Sequence, residues 1–179
     1  MALSIDQMIN NDLLLNIARY DMKVAIGCDE AAFALKESLK RHLAANHPQV
    51  ELIDFGTHSA EQTALYADVA VEVARRVAGG EFTRAILACG TGIGMAIAAN
   101  KVPGVRAAQC HDTYSAERAR RSNDAQIIAL GARVIGSELA NSIIDAWLRA
   151  EFDGGRSLPK VQRIAEHEAQ LAANPPLAR

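Results

Sequence analysis

Ala85-Ile-Leu-Ala-Cys-Gly-Thr-Gly-Ile-Gly-Met95 is a run of four apolar residues, a cysteine, and then glycine at every second position. The apolar run is short enough for a buried strand, the glycines mark a tight turn, and Met95-Ala-Ile-Ala-Ala favours a helix. Strand, turn and helix start therefore follow in series. A helix N-terminus presents unpaired N–H groups and partial positive charge, which attract anions and favour a thiolate beside them. Cys89 next to such a loop suits chemistry on a substrate that develops negative charge. The same residues also fit a plain strand–helix turn holding a buried structural cysteine. Gly90-Thr-Gly-Ile-Gly94 closes one residue too early for the dinucleotide fingerprint and lacks the Lys and Ser/Thr of a P-loop.

Outward from this segment, strands and helices alternate. Strands are predicted over 23–27, 50–54, 84–88, 105–109 and 126–130. Helices are predicted over 31–45, 69–78, after Ile93, over 115–121, over 137–151 with Ser137 as its cap, and over 159–173. Five such units in series imply an α/β fold with a five-stranded parallel sheet, helices on both faces, and further helices at the C-terminus. Ligands bind such folds at the carboxyl ends of the strands. Cys28-Asp-Glu30, Cys89-Gly-Thr91, Cys110-His-Asp112 and Gly131-Ala-Arg133 all follow strands, so they are expected on one rim. Residues 1–21 read as an N-terminal extension, helical, with Ile9, Leu13 and Ile17 on one face. Residues 22–173 read as a single domain, and 174–179 as a frayed tail.

The chain has 179 residues, half of them hydrophobic, 22% charged and only 4% aromatic, so its core must rest on Ala, Val, Ile and Leu. A net charge of −2 gives no electrostatic reason to expect a nucleic-acid or membrane partner. No apolar run approaches the ~20 residues of a membrane span, and the N-terminus does not read as a signal peptide. Three cysteines without paired spacing argue against a disulfide framework and for a reducing cytoplasm. They also lack the spacing of a metal site with His111, and no metal is expected.

Gly27-Cys-Asp, Asp54-Phe-Gly-Thr57, Cys89-Gly-Thr-Gly-Ile-Gly94, Ala98-Ala-Asn-Lys101, Asn123-Asp124, Leu130-Gly-Ala-Arg-Val-Ile-Gly136 and Gly154-Gly-Arg156 resemble the ribose-5-phosphate isomerase B family. That family includes the galactose-6-phosphate isomerase subunits. The resemblance runs in order over about 22–167. It implies a Rossmann-like three-layer fold, a homodimer or tetramer with sites between subunits, and metal- and cofactor-free interconversion of aldose and ketose phosphates through an enediolate. By position, Cys89 is the base moving a proton between C1 and C2, and Thr91 assists transfer between the oxygens. The amides of Gly90, Thr91, Gly92, Ile93 and Gly94, with Asn123, hold the enediolate. Asp29 binds sugar hydroxyls. Arg133, Arg156 and Lys160 bind phosphate, some from the partner subunit. Each also has a bland reading: Asp29 as a helix cap, Thr91 as a turn hydroxyl, the arginines as solvated surface charge.

The chain departs from the family pattern at the sugar-contacting positions. Glu30 and Ser122 stand where histidines are usual, the latter acting in ring opening. Thr63-Ala-Leu-Tyr-Ala-Asp68 replaces an Asp-Tyr-Pro motif, and Lys160 a common arginine. Serine does not titrate near neutrality as histidine does. An acyclic tetrose 4-phosphate, whose esterified 4-hydroxyl cannot close a furanose, would not need the missing imidazole. His58 and His111 read as loop histidines that could replace it. The resemblance thus leaves three readings open: a pentose-phosphate isomerase, a tetrose-phosphate isomerase, or a non-catalytic sugar-phosphate-binding subunit.

Overall fold

Five parallel strands form one sheet in the order β2-β1-β3-β5-β4. They are β1 (Met22–Cys28), β2 (Val50–Gly56), β3 (Arg84–Cys89), β4 (Ala107–Gln109) and β5 (Ile127–Gly131). The helices are α1 (Phe33–Asn46), α2 (Tyr66–Ala78), α3 (Ile93–Ala99), α4 (Thr113–Asn123), α5 (Ser137–Arg149) and α6 (Leu158–Ala173). Single 3-10 turns precede α1 (Glu30–Ala32) and α6 (Gly155–Ser157). This computed structural model describes residues 22–174. The helix expected within 1–21 lies outside the described residues, as do the last five residues of the tail.

The period-2 alternation of strand side chains divides the core in two. Val24, Ile26 and Cys28 of β1 and Ile86 and Ala88 of β3 pack with Leu39, Ala116, Ile143 and Trp147, on the face covered by α1, α4 and α5. Ala25, Ala85, Leu87 and Cys89 point the other way and pack with Val73, Met95 and Ala99, under α2 and α3. Parity therefore separates the cysteines: Cys89 faces α3, while Cys28 and Cys110 are buried with α1 and α4.

The chain reverses direction in the sheet between β1 and β3, and their carboxyl ends carry Asp29-Glu30 and Cys89-Gly90. Binding clefts form where the connections leave in opposite directions at such a point. The structure also moves several predicted boundaries. β4 begins at Ala107 because Arg106 is held by the Gln126 side chain and Val105 is turned back onto Val102. Helix α5 is capped by Gly136, with no side-chain cap, and Ser137 is its first residue; it ends at Arg149, where Ala150 turns extended. Helix α2 starts three residues earlier than the apolar pattern indicates, at Tyr66.

One buried charge ties β2 to α1. Lys36 is fully buried, and its Nζ donates to Asp54 Oδ1 and to the Thr57 carbonyl, both at 2.6 Å. Removing one member of such a pair strands an uncompensated charge. Asp54→Asn should therefore lower unfolding free energy by about 3–5 kcal/mol in urea titrations. A loss under ~1 kcal/mol would show that the carbonyl alone satisfies the ammonium.

Candidate active site

The carboxyl end of β3 turns sharply into α3. Gly92 adopts φ +77°, the left-handed region that glycine enters without a Cβ penalty. An added Cβ there would also lie 2.9 Å from the Leu130 carbonyl carbon and 3.1 Å from the Ala129 backbone of β5. The turn brings the Gly92 N–H to 3.1 Å from Cys89 Sγ, to which it donates. The Ile93 N–H donates to Thr91 Oγ1 at 3.4 Å, leaving the threonine O–H free to donate outward. Among the described residues, no protein group accepts from the N–H groups of Gly90, Thr91 or Gly94. Helix α3 is only seven residues long, so an anion at this rim would meet the loop amides rather than a long helix dipole.

Cys89 is 5% exposed and reaches the loop from below. The other two cysteines are buried on the opposite face of the sheet. Burial pushes the Cys28 and Cys110 thiols up to about 11, so both stay protonated and inert near neutrality.

Arg133 lies over the loop: a methyl on Gly90 would touch its Cδ, Nε and Cζ at 3.5–3.7 Å. Its guanidinium makes no ion pair among the described residues, although it carries the local positive charge felt by Asp29 and Glu30. Asp29 sits at the N-cap position of the turn after β1 and makes no side-chain cap bond, although the nearby Ala32 and Ala31 N–H groups favour its charged form. Its Oδ1 is buried without a partner. Burial, and then the neighbouring Glu30 charge, raise its carboxyl above the usual range. Glu30 is exposed and accepts from the Ala64 N–H at 3.3 Å. Its own backbone N–H, and then that bond, hold its carboxyl below the usual range, so it stands as a negative charge.

Two further residues complete this rim: Tyr66, which the motifs do not single out, and His111, which is expected on it. The Tyr66 ring packs on Gly94, where an added Cβ would meet it at 2.5–2.9 Å, and the residue is 46% exposed. The signal was the tyrosine kept inside the altered Thr63–Asp68 stretch. His111 lies against Thr91 and Gly131, with its Nε2 buried and unpartnered. His58, by contrast, is exposed and 4.0 Å from Asp54.

Asn123, Arg156 and Lys160 are not brought to this rim. The Asn123 carbonyl accepts from Arg106, which precedes β4, and so lies at the amino ends of the strands. Arg84, at the start of β3, donates to the Trp147, Leu148 and Ala150 carbonyls, which fixes the chain before Arg156 at the same end. Asp153 is bound there to Arg121, and Glu168 of α6 accepts from the Gly104 N–H. Ser122, in the same helix turn, accepts from Arg118. β3 alone, at ~3.3 Å per residue, separates the two rims by roughly 16 Å. The strand-end segments thus share one rim, while Asn123, Arg156 and Lys160 stand at the opposite end of the same chain, because helices antiparallel to the strands carry their C-terminal residues there. A cleft of about 370 Å³ on that far end, lined by Glu117, Arg121, Arg149, Glu151 and Asp153, does not reach Cys89.

A parallel sheet with a thiol under a glycine amide loop, flanked by Asp29 and Arg133, gives this α/β enzyme fold a candidate site for an anionic ligand. The chain belongs to the ribose/galactose isomerase family, whose sequence model matches residues 24–164. It is 53% identical over 149 residues to D-erythrulose-4-phosphate isomerase of Pectobacterium atrosepticum, across 83% of this chain and 97% of that protein. It is 48% identical over 146 residues to ribose-5-phosphate isomerase B of Escherichia coli, across 82% and 96%. The solved ribose-5-phosphate isomerase B of Clostridium thermocellum superimposes with a TM-score of 0.79 at 48% identity, across 83% of this chain and 99% of that one.

The Gly92 turn can be tested apart from left-handed strain. Gly104 has φ +81° but open space around a Cβ, whereas a Cβ at Gly92 meets β5 backbone. Both alanine variants should carry backbone strain of order 1–3 kcal/mol. Only Gly92→Ala should also lose most catalytic turnover. Equal turnover in the two variants would mean that the loop geometry is not needed for chemistry.

Proposed function

We propose that this chain is an aldose–ketose isomerase of sugar phosphates, acting through an enediolate, with ribose 5-phosphate and ribulose 5-phosphate as the first substrate pair. The observation that carries the reading is the Cys89 thiol held by the Gly92 N–H beneath unpaired loop amides. Cys89 Sγ removes the proton from the carbon next to the carbonyl and returns it to the adjacent carbon. The amides of Gly90 to Gly94 meet the oxygen on which charge develops, and preorganised donors act where they are aimed. The free Thr91 O–H passes the proton between the two oxygens. Asp29, with its unpartnered buried oxygen, receives sugar hydroxyls, and Glu30 borders them. Arg133 offers a fork to phosphate. A purely binding role fits less well, because binding alone does not call for a thiol at the centre of the anion loop.

The functional unit is a homodimer, and two such dimers form a tetramer where they pair. In a two-fold dimer each rim can meet the opposite rim of the partner. That arrangement supplies Asn123, Arg156 and Lys160 to the partner's Cys89, which one chain alone leaves roughly 16 Å away. Arg156 and Lys160 are exposed and make no ion pair among the described residues. Helix α6 buries none of its residues and exposes Leu158, Ile164 and Leu171, while Leu65, Ile93 and Ile97 stand exposed near Cys89. These faces are the covering surfaces of the dimer. Three free cysteines suit a reducing compartment, and we place the protein in the cytoplasm. No described helix is long and apolar enough to cross a membrane.

Cys89→Ala should lower turnover by ~10²–10⁴-fold with the fold intact. Arg156→Ala should raise KM and lower turnover as well. If the site is shared, unfolding and refolding the two inactive variants together should restore about a quarter of parental activity, because mixed dimers regain one whole site. No gain on mixing, with mixed dimers shown to form, would place Arg156 in its own chain's site or outside any site.

A second reading, a tetrose 4-phosphate isomerase, is favoured by the Ser122 hydroxyl, which is occupied by Arg118 and offers no titrating group for ring opening. The ratio of turnover on a tetrose or tetrulose 4-phosphate to that on ribose 5-phosphate should be high. Ser122→His should raise the ribose 5-phosphate rate selectively. A parent that prefers ribose 5-phosphate, with no selective gain from the histidine, returns the function to the first reading and leaves ring opening to His111.

A further inference from the structure

Far from Cys89, two imidazoles converge on one carboxylate oxygen. His42 lies in the last turns of α1, and His47 is the residue on which that helix ends. The chain turns there with His47 at φ −130°, ψ 62°, which swings its ring alongside that of His42, with centroids 5.9 Å apart. Asp145 faces them from α5. The Nε2 atoms of both histidines lie 2.7 Å from Asp145 Oδ1. One ligand atom from each of the three residues falls within 4.8 Å of the others.

We propose that His42, His47 and Asp145 form a binding site for a divalent transition-metal ion, with zinc(II) as the best fit. Two imidazole nitrogens and one carboxylate oxygen are a donor set suited to zinc, and such sites complete four-fold coordination with water. Zinc–ligand bonds of ~2.0–2.2 Å place neighbouring ligand atoms roughly 3.3 Å apart. The two N···O separations reach that value by opening a little over half an ångström. The side chains of His42 and Asp145 keep 15% and 23% exposure while that of His47 keeps 9%, so one side is open for entry and for a water.

The outer shell fits both states of the site. His42 Nδ1 is 3.2 Å from the Asn46 side-chain amide, and His47 Nδ1 is 3.5 Å from that of Gln49. With the carboxamide nitrogens facing Nδ1, the metal-free arrangement is met by the tautomer that donates from Nε2 to Asp145 and accepts at Nδ1. On metal binding the proton moves to Nδ1, the ring stays neutral, and the Nε2 lone pair turns to the ion. A carboxamide serves either tautomer by rotating its oxygen into place of its nitrogen. For Asn46 the rotation gives up a 3.0 Å bond to the His42 carbonyl.

The ion would be structural. It joins the end of α1 to α5 across about 100 residues of chain, on the face of the sheet opposite α3, and it takes no part in proton transfer at Cys89. Binding to the folded state alone stabilises it by mass action.

The test uses the full chain after chelation and dialysis. Cobalt(II) in small molar excess should give visible d–d absorption at one equivalent per chain, without the near-ultraviolet thiolate band that a cysteine ligand would add. Zinc(II) should displace it and raise Tm by a few degrees. His42→Gln and Asp145→Asn should lose both signals and keep the parental isomerase activity. Repeating the titration in Cys89→Ala excludes the reactive thiol as the ligand. A cobalt spectrum that carries the thiolate band, that survives His42→Gln, or that never develops in the parent overturns the proposal, as does zinc that leaves the parental Tm unmoved.

Discussion

The constraint on which the site depends is the close approach of the β3–α3 turn to the end of β5. Gly92 must take a left-handed conformation while its Cα lies against the Ala129 and Leu130 backbone. Gly131 is pressed in turn by the Thr91 carbonyl and by His111. The pairing of Cys89 with Gly131 is what sets these backbones together. The same contact holds the Gly92 N–H on Cys89 Sγ and fans the remaining amides outward. A side chain at either glycine would lift the loop, and the thiol would lose its donor and the loop its anion-binding concavity.

The sheet's parity then distributes chemistry among three similar cysteines. All end or follow strands, and all are buried. Cys89 alone lies on the α2–α3 side, where the turn returns over it. Cys28 and Cys110 face the larger core, where apolar surroundings push their thiols up. The fold thus places one cysteine under the glycine loop and buries two in the larger core, where they stay protonated.

The electrostatics divide along the same axis. The carboxyl-end rim carries Asp29, Glu30 and a free Arg133 around the loop. The opposite rim carries paired arginines such as Arg121 with Asp153 and Arg120 with Asp124, together with exposed Arg156 and Lys160. Among the described residues, basic groups without an ion-pair partner stand at both ends, and apolar side chains stand exposed on α3 and α6.

The residue pattern by itself determined the five-stranded parallel sheet, the cysteine–glycine loop at the end of β3, and the family, because these follow from local periodicity and from short motifs. It also marked Cys89, Asp29, the loop glycines and Arg133 as one group, since each directly follows a strand. Tertiary structure alone decided the rest. Asn123, Arg156 and Lys160 share motifs with the site but stand at the far end of the strands, because helix direction reverses after each strand and no local signal counts that reversal. Tyr66 joins the rim only through packing on Gly94, a contact between residues tens of positions apart. The His42–His47–Asp145 cluster is likewise invisible in sequence: its carboxylate is about 100 residues from its imidazoles, and only the packing of α1 on α5 brings them within bonding distance.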